Sequence, residues 1–217
     1  MRVVEIFSSI DGEGVRAGEL ATFVRLAGCN LHCSYCDTSY AQDADSGKEM
    51  TMDDVMSEVA RHQNTNVTLT GGEPLLNGCD LACQLADKGY NVNIETNGSL
   101  DITPVLRDGI IVTMDFKTPS SGETESMLLS NLNKLRPEDV LKFVMADTDV
   151  DFVEKLLQQS YPLHCPFIYL SPVFGKGKPA FFVECLKRWS RSGIDTGKMR
   201  VQLQLHKYIW DPNTKGV

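Results

Sequence analysis

The sequence predicts an α/β protein built as a partial, partly open (β/α) barrel of parallel strands. Short β-branched runs alternate with amphipathic helical stretches, a pattern that calls for a parallel sheet with right-handed crossovers. The polar and cysteine-bearing motifs fall just past the C-terminal ends of those runs, where the loops of a barrel converge on an active site. The chain length allows about six or seven such strands with short helices, and a complete eight-fold barrel would be crowded at this size.

In chain order, Val3 to Phe7 reads as an opening strand or turn. Ser9-Ile10-Asp11-Gly12-Glu13-Gly14 follows as a glycine-punctuated loop, either an ordinary turn or a place where backbone approaches a ligand closely. The run Ala21 to Leu26 is the first barrel strand, its loop extends through Tyr40, and Asp43 to Glu49 reads as polar and mobile. Thr51 caps a helix over Met52 to His62, with Asp54 as capping partner and Met52, Val55, Met56 and Val59 as the apolar face. Asn66 to Thr70 is the next strand. Helix Cys79 to Lys88, ended by Gly89, leads to strand Asn91 to Glu95 and the turn Thr96-Asn97-Gly98. Strand Ile110 to Asp115 precedes a serine-rich loop and a helix over Glu125 to Leu132. Strand Val140 to Ala146 feeds helix Val150 to Gln159, and strand Phe167 to Leu170 feeds helix Pro179 to Ser190, where proline suits the first turn. Strand Val201 to Leu205 closes the series and delivers His206.

With 217 residues, 42% of them hydrophobic, residues 1–217 are read as a single domain with a sizeable core. A formal net charge of −8 leaves no basic stripe to neutralise phosphates, which argues against broad nucleic-acid binding and for a small substrate. The N-terminal residues lack a signal-peptide apolar region and no stretch approaches the length of a membrane span, so no membrane association and a cytoplasmic location are expected.

Three of the seven cysteines, Cys29, Cys33 and Cys36, lie within eight residues at spacing C-x3-C-x2-C. Thiolates are the ligands that iron-sulfur clusters prefer, and four irons held by three cysteines leave one iron open to a non-protein ligand. A zinc site completed by His32 or Asp37 is the alternative, although nothing else in the sequence pairs with His32. Cys79, Cys83, Cys165 and Cys185 show no disulfide framework, which suits reducing conditions. Cys79 and Cys83, four apart in a helix, read as apolar packing in preference to a second cluster.

The cysteine spacing and Gly71-Gly72-Glu73-Pro74 together resemble the radical S-adenosylmethionine (SAM) superfamily. Within it, Ser9 to Gly14, the run Phe23-Val24-Arg25-Leu26-Ala27-Gly28-Cys29-Asn30-Leu31, Cys36-Asp37-Thr38, Thr70 to Pro74, Glu95 to Gly98 and His206-Lys207 resemble the 7-carboxy-7-deazaguanine synthase family, over residues 9 to 207. The resemblance implies the radical SAM fold and conversion of 6-carboxy-5,6,7,8-tetrahydropterin to 7-carboxy-7-deazaguanine. That reaction is a radical ring contraction with loss of ammonia, on the route to 7-deazapurines such as queuosine. It also implies a [4Fe-4S] cluster, SAM used catalytically, Mg2+, a reducing partner such as flavodoxin or ferredoxin, and a homodimer. The radical does the chemistry, so no protein side chain is assigned as catalytic.

By the same resemblance Cys29, Cys33 and Cys36 hold the cluster, while Gly71, Gly72 and Glu73 receive the SAM amino group. Lys117 and Ser171 match SAM-contacting positions, with Asp115 and Ser171 standing where the family often carries serine and glutamine. Arg25 is matched to the substrate carboxylate, a geometry a guanidinium meets with two parallel hydrogen bonds. Glu13 and Glu95 accept from the aminopyrimidinone edge, Gly12 and Thr70 join them, and Asp11, which replaces a usual glutamine, contributes backbone. His206, which as a lone histidine reads more often as structural, bonds the ring by the same resemblance. The family's chain end also reaches substrate, which adds Val217. Thr38 matches the magnesium ligand, with Asp37 as its rival. Two other readings remain: a glycyl-radical activase, and a non-catalytic metal-binding or electron-transfer module.

Overall fold

The computed structural model describes residues 1–159, 164, 167–212 and 214–217. Its strands are β1 (Arg2–Ile10), β2 (Leu20–Leu26), β3 (Lys48–Glu49), β4 (Asn66–Gly71), β5 (Asn91–Thr96), β6 (Ile110–Asp115), β7 (Val140–Met145), β8 (Phe167–Pro172) and β9 (Met199–Val201). Helices are α1 (Met52–Arg61), α2 (Cys79–Asp87), α3 (Val150–Gln158), α4 (Pro179–Arg191) and the short α5 (His206–Ile209). One sheet runs β3-β1-β2-β4-β5-β6-β7-β8-β9, parallel from β2 through β9, with β3 and β9 at opposite edges. This is the partly open α/β barrel expected, with one difference: β1 and β3 run antiparallel and extend the edge beyond β2. Val3 to Phe7 is thus the middle of a nine-residue strand, and part of the polar stretch 43–49 pairs with it.

Two-residue alternation sorts each parallel strand into an outer and an inner face. Val67 and Leu69, Val92 and Ile94, Val112 and Met114, Leu141 and Phe143, and Ile168 and Leu170 pack outward, forming one core with Val55, Val59, Leu81, Leu85, Val153 and Phe182 of the helices. Thr70, Glu95, Thr113, Asp115 and Lys142 point the other way, into a cavity. The core therefore lies between sheet and helices, and the lumen is polar. Burying the outer face stabilises the fold by about 25 cal/mol for each Å2 of apolar surface removed from water.

Local signals act where expected. Thr51 accepts from the Asp54 amide at 3.1 Å and the Asp54 carboxylate accepts in return, a complete capping box for α1. Gly89 takes φ 86° just past α2. The helix expected over Glu125 to Leu132 is instead two 3-10 turns, Thr124–Ser126 and Leu129–Asn133. The cause is Asn131, fully buried, whose amide donates to the carbonyls of Gly98 and Leu100 and whose oxygen accepts from Ile102 N, so tertiary demand on one side chain overrides local helical preference. The last strand is Met199–Val201, not Val201 to Leu205, because Gln202 and Gln204 are drawn across the open side of the barrel.

That crossing latches the seam. Gln202 accepts from Gly14 N at 2.7 Å and donates to Gly14 O at 3.0 Å, and Leu205 N donates to Gly12 O at 2.9 Å. Among the described residues no helix is long and apolar enough to cross a membrane. Cys79, Cys83 and Cys185 are free thiols against the core, while Cys165 lies outside the described residues.

Candidate active site

A cavity of about 780 Å3 opens at the C-terminal ends of the parallel strands. Its cysteine wall is fixed by backbone. Gly28 N and Cys29 N donate to the carbonyls of Ala41 and Gln42, while Gly72 N and Glu73 N donate to those of Leu26 and Gly28 at 3.0 and 2.8 Å. The two loops thus pack main chain on main chain. A Cβ on Gly72 would meet Gly28 O at 2.0 Å, and one on Gly71, where φ is 132°, would meet Leu26 O at 2.1 Å, so only glycine fits either place. Cys29, Cys33 and Cys36 all face the cavity. Burial raises the Cys29 thiol and pushes Cys33 up to about 11.

Glu73 is placed differently from expectation. It is fully buried, with Oε1 accepting from Leu75 N and Thr96 Oγ1 and Oε2 accepting from Asn97 N at 2.7 Å. Both oxygens accept bonds inside the protein, so the carboxylate ties the glycine loop to the end of β5, and Gly71 and Gly72 line the cavity whereas Glu73 does not. Beside it, Asn97 reaches Cys29 Sγ at 3.9 Å and Asn30 Oδ1 at 3.1 Å. The cysteine loop is held on its other side by Ser34, which donates to Ser120 and Ser121 carbonyls, and by Glu123, which accepts from His32 N.

Another part of the lining is made by side-chain charge. A register irregularity between Val3 and Glu5 sets Glu5 opposite Arg25 across β1 and β2. Arg25 Nε donates to Glu5 Oε1 at 2.7 Å, Tyr40 Oη donates to the same oxygen at 2.9 Å, and the guanidinium carbon stands 5.9 Å from the ring centroids of both Phe7 and Tyr40. The carboxylate and the two rings hold the guanidinium at the cavity surface. Glu95 lies beside Thr70, whose hydroxyl donates to it at 2.9 Å. Burial, with Glu13 and Asp11 adding repulsion, pushes Glu95 up to about 6 even though Lys142 pulls the other way. Glu13 Oε1 takes Lys142 Nζ at 2.7 Å and Gln204 Nε2 at 3.3 Å. Lys117 Nζ pairs with Asp115 Oδ2 at 2.8 Å, and this contact, set against a burial cost, holds its ammonium charged.

Gly12, Glu13, Arg25, Thr38, Thr70, Gly71, Gly72, Glu95, Lys117, His206 and Val217 therefore share one cavity with the three cysteines, whereas Asp11 and Ser171 do not line it. Asp11 is turned inward, pairing with Arg16 Nε at 3.0 Å and accepting from Thr68 at 2.8 Å. Ser171 is fully buried on β8 with no hydrogen-bond partner for its hydroxyl among the described residues. His206 stacks against the Gly12 backbone so closely that a Cβ there would meet its Nδ1 at 2.0 Å, and burial lowers its pKa. At the rim, Thr38 donates to Asp37 Oδ1 at 3.1 Å, and Lys207, 2.5 Å from Oδ2, outweighs desolvation and holds Asp37 at about 2.

Glu5, Tyr40, Lys142, Gln202 and Gln204 escape sequence reasoning. Lys142 alone leaves a trace there, as the single charge in the apolar run Val140 to Met145.

Three cysteines within eight residues, all lining one cavity, are the kind of thiolate set that an iron-sulfur cluster takes. His32 is not among the residues that line this cavity, which disfavours a zinc site completed by it. Residues 10–100 match the model of a family described as a 4Fe-4S single cluster domain. The chain is 39% identical to a 7-carboxy-7-deazaguanine synthase of Clostridium acetobutylicum, covering all of this chain and 99% of that one. It is 38% identical to a 7-carboxy-7-deazaguanine synthase of Methanospirillum hungatei, covering 98% of this chain and 86% of that one. Its fold is similar to the crystal structure of QueE from Escherichia coli, with a TM-score of 0.70 at 21% identity over 94% of this chain and 93% of that one.

Proposed function

Because the chain belongs to the 7-carboxy-7-deazaguanine synthase family, a family of radical SAM enzymes, we propose that its cavity binds 6-carboxy-5,6,7,8-tetrahydropterin and directs ring contraction to 7-carboxy-7-deazaguanine. The observation that carries this is one cavity lined both by the three cysteines and by a guanidinium held by Glu5, together with the carboxylates of Glu13 and Glu95.

When bound, the [4Fe-4S] cluster and SAM supply a 5′-deoxyadenosyl radical for hydrogen abstraction. Cys29, Cys33 and Cys36 hold the cluster, and the Gly71-Gly72 backbone forms the shelf for the SAM amino group, stiffened from beneath by Glu73. Lys117 lines the same cavity, and Ser171, buried on β8 outside that lining, has a hydroxyl without a hydrogen-bond partner among the described residues. Arg25 receives the substrate carboxylate through its terminal amines, since Glu5 engages only Nε. Glu13 and Glu95 accept from the aminopyrimidinone edge, Thr70 orients Glu95, and Gly12, His206 and the Val217 segment close over the ring. Asp11 acts at one remove by anchoring the loop through Arg16. These contacts fix which hydrogen lies within reach of the radical, the part of the reaction a protein governs by orientation.

Thr38 is proposed as the magnesium ligand, one hydroxyl fitting a hard ion that keeps several waters. Asp37 is less available, being engaged by Lys207. A one-electron donor such as flavodoxin or ferredoxin, a homodimer, a single domain over 1–217 and a cytoplasmic setting belong to the same reading. It is supported by the family, by one continuous sheet and by free thiols suited to reducing conditions. A glycyl-radical activase is disfavoured because a peptide backbone brings no carboxylate for Arg25.

The test is anaerobic reconstitution, then the carboxytetrahydropterin with SAM, magnesium and dithionite. Deazaguanine acid found by mass supports the proposal; 5′-deoxyadenosine formed without it, pterin present, overturns the substrate assignment.

A further inference from the structure

Lys142 has no role in the binding scheme above, yet it lines the cavity among the charged residues. It projects from the middle of an otherwise apolar strand, Val140-Leu141-Lys142-Phe143-Val144-Met145, and is buried at 6% exposure. Its ammonium meets Glu13 Oε1 at 2.7 Å across 129 residues of chain. The other nearby lysine, Lys117, is already paired with Asp115. Glu13 Oε2 is buried and has no hydrogen-bond partner among the described residues, although Glu13 lines the cavity.

A buried ion pair is a weak way to stabilise a fold, because methionine of the same length would fill the space without desolvating a charge. An unpaired carboxylate oxygen beside it is costlier still unless something else bonds it. The arrangement makes sense when the second oxygen is reserved for a ligand. We propose that Lys142 is a positioning residue for substrate recognition: it clamps one oxygen of Glu13 and so presents the other, as a charged acceptor, to the N–H donors of the pterin's aminopyrimidinone edge. This rests on the reading of the cavity as a pterin site. Gln204 donates to the same clamped oxygen, so both partners leave Oε2 alone.

The clamp also serves Glu95. Glu13 and Asp11 repel the Glu95 charge and Lys142 is the cation that opposes them, so pairing Glu13 also offsets its repulsion of Glu95. A protonated carboxyl would turn a donor toward the donor edge of the ligand. Lys142 thereby sets the preference for a 2-amino pterin over its 2-oxo counterpart.

Equilibrium binding of unreactive 6-carboxypterin to the reconstituted, SAM-loaded enzyme tests this. Lys142→Met is expected to weaken binding by about tenfold or more, the size of one lost hydrogen bond to a charged group. Cluster absorbance and SAM affinity should stay at wild-type values, and the preference over the 2-oxo analogue should shrink. In a Glu13→Gln background the same substitution should cost less than about twofold, since the partner it acts through is already neutral. Lys142→Arg should recover most of the affinity. Should Lys142→Met fail to fold, Lys142→Gln carries the same cycle. Binding within about twofold of wild type, or losses that multiply independently of Glu13, overturns the inference. Failure of the wild-type enzyme itself to bind 6-carboxypterin or convert the tetrahydropterin would instead sink the pterin reading.

Discussion

On one side of the cavity, Cys29 to Cys36 and Gly71 to Glu73 are set by amide-to-carbonyl bonds and by glycines packed on backbone. In contrast, the charged lining residues Glu13, Arg25, Glu95 and Lys142, with Glu5 behind Arg25, are set by one another's charges. The first wall depends on which residues lack side chains, and the second on which carry them. A backbone-built wall can serve any chemistry that needs the same cluster and cofactor, whereas the side-chain wall determines which molecule is presented to them. Substitutions in the two walls should therefore separate radical generation from product formation.

The largest effect is expected on the cysteine wall. Cys33→Ala should lose the iron-sulfur absorbance and all SAM cleavage, since two thiolates do not hold the cube firmly. Retained turnover in the anaerobically reconstituted variant would break the division at its root.

Arg25→Leu should show the opposite signature. Neither the thiolates nor the glycine shelf is touched, so the spectrum and uncoupled formation of 5′-deoxyadenosine should persist while deazaguanine formation collapses. The loss is roughly 2–5 kcal/mol, as when one member of a buried hydrogen-bonded charge pair is truncated. Glu5 would then be left without its cation, so Glu5→Gln combined with Arg25→Leu checks that the effect is not mere electrostatic damage. Wild-type product rates in Arg25→Leu would place the substrate carboxylate elsewhere.

The same division explains what the sequence alone discloses. C-x3-C-x2-C and Gly-Gly-Glu-Pro are contiguous, and each follows a strand, so spacing places them without knowledge of the fold. Six of the parallel strands, α1 with its capping box and the glycine ending α2 follow from equally local signals. Lys142 and Gln202 reach partners 129 and 188 residues away, and no window of sequence contains both ends of such a bond. The two misread elements, 125–132 and 201–205, fail for that reason: Asn131 and Gln202 answer to distant carbonyls and amides. Glu73 shows the limit of a motif, since the sequence marks the residue but not which way its carboxylate points.

A smaller effect is expected at the rim between the walls. Magnesium should raise turnover, and Thr38→Ala should blunt that response by removing the single hydroxyl that orients a mostly hydrated ion. Titrating activity with magnesium after chelation measures it. An unchanged dependence would shift the ligand to Asp37, which would then have to exchange Lys207 for the metal.

The smallest expected effect is on the pH dependence of stability, and it isolates the charge balance of the side-chain wall. Glu95 is pushed up to about 6 from an ordinary value of 4.5, chiefly by burial. Between those two values the folded protein keeps the Glu95 proton while the unfolded chain has released it. The unfolded state then binds fewer protons, so this residue makes stability fall as pH rises through the window. The full difference is about 2 kcal/mol for a shift of this size. Glu95→Gln, neutral in both states, should remove that fall, so urea denaturation at pH 4.5 and 7 should show a smaller drop in the variant. Binding should run the other way. Above about 6 the wild-type carboxylate is an acceptor for the pterin donors, and below it the proton presents a donor instead, so 6-carboxypterin affinity should weaken on acidification in wild type and stay flatter in Glu95→Gln. Superimposable stability and binding profiles for the two proteins would mean that Glu95 is already ionised throughout, and that Lys142 compensates its burial in full.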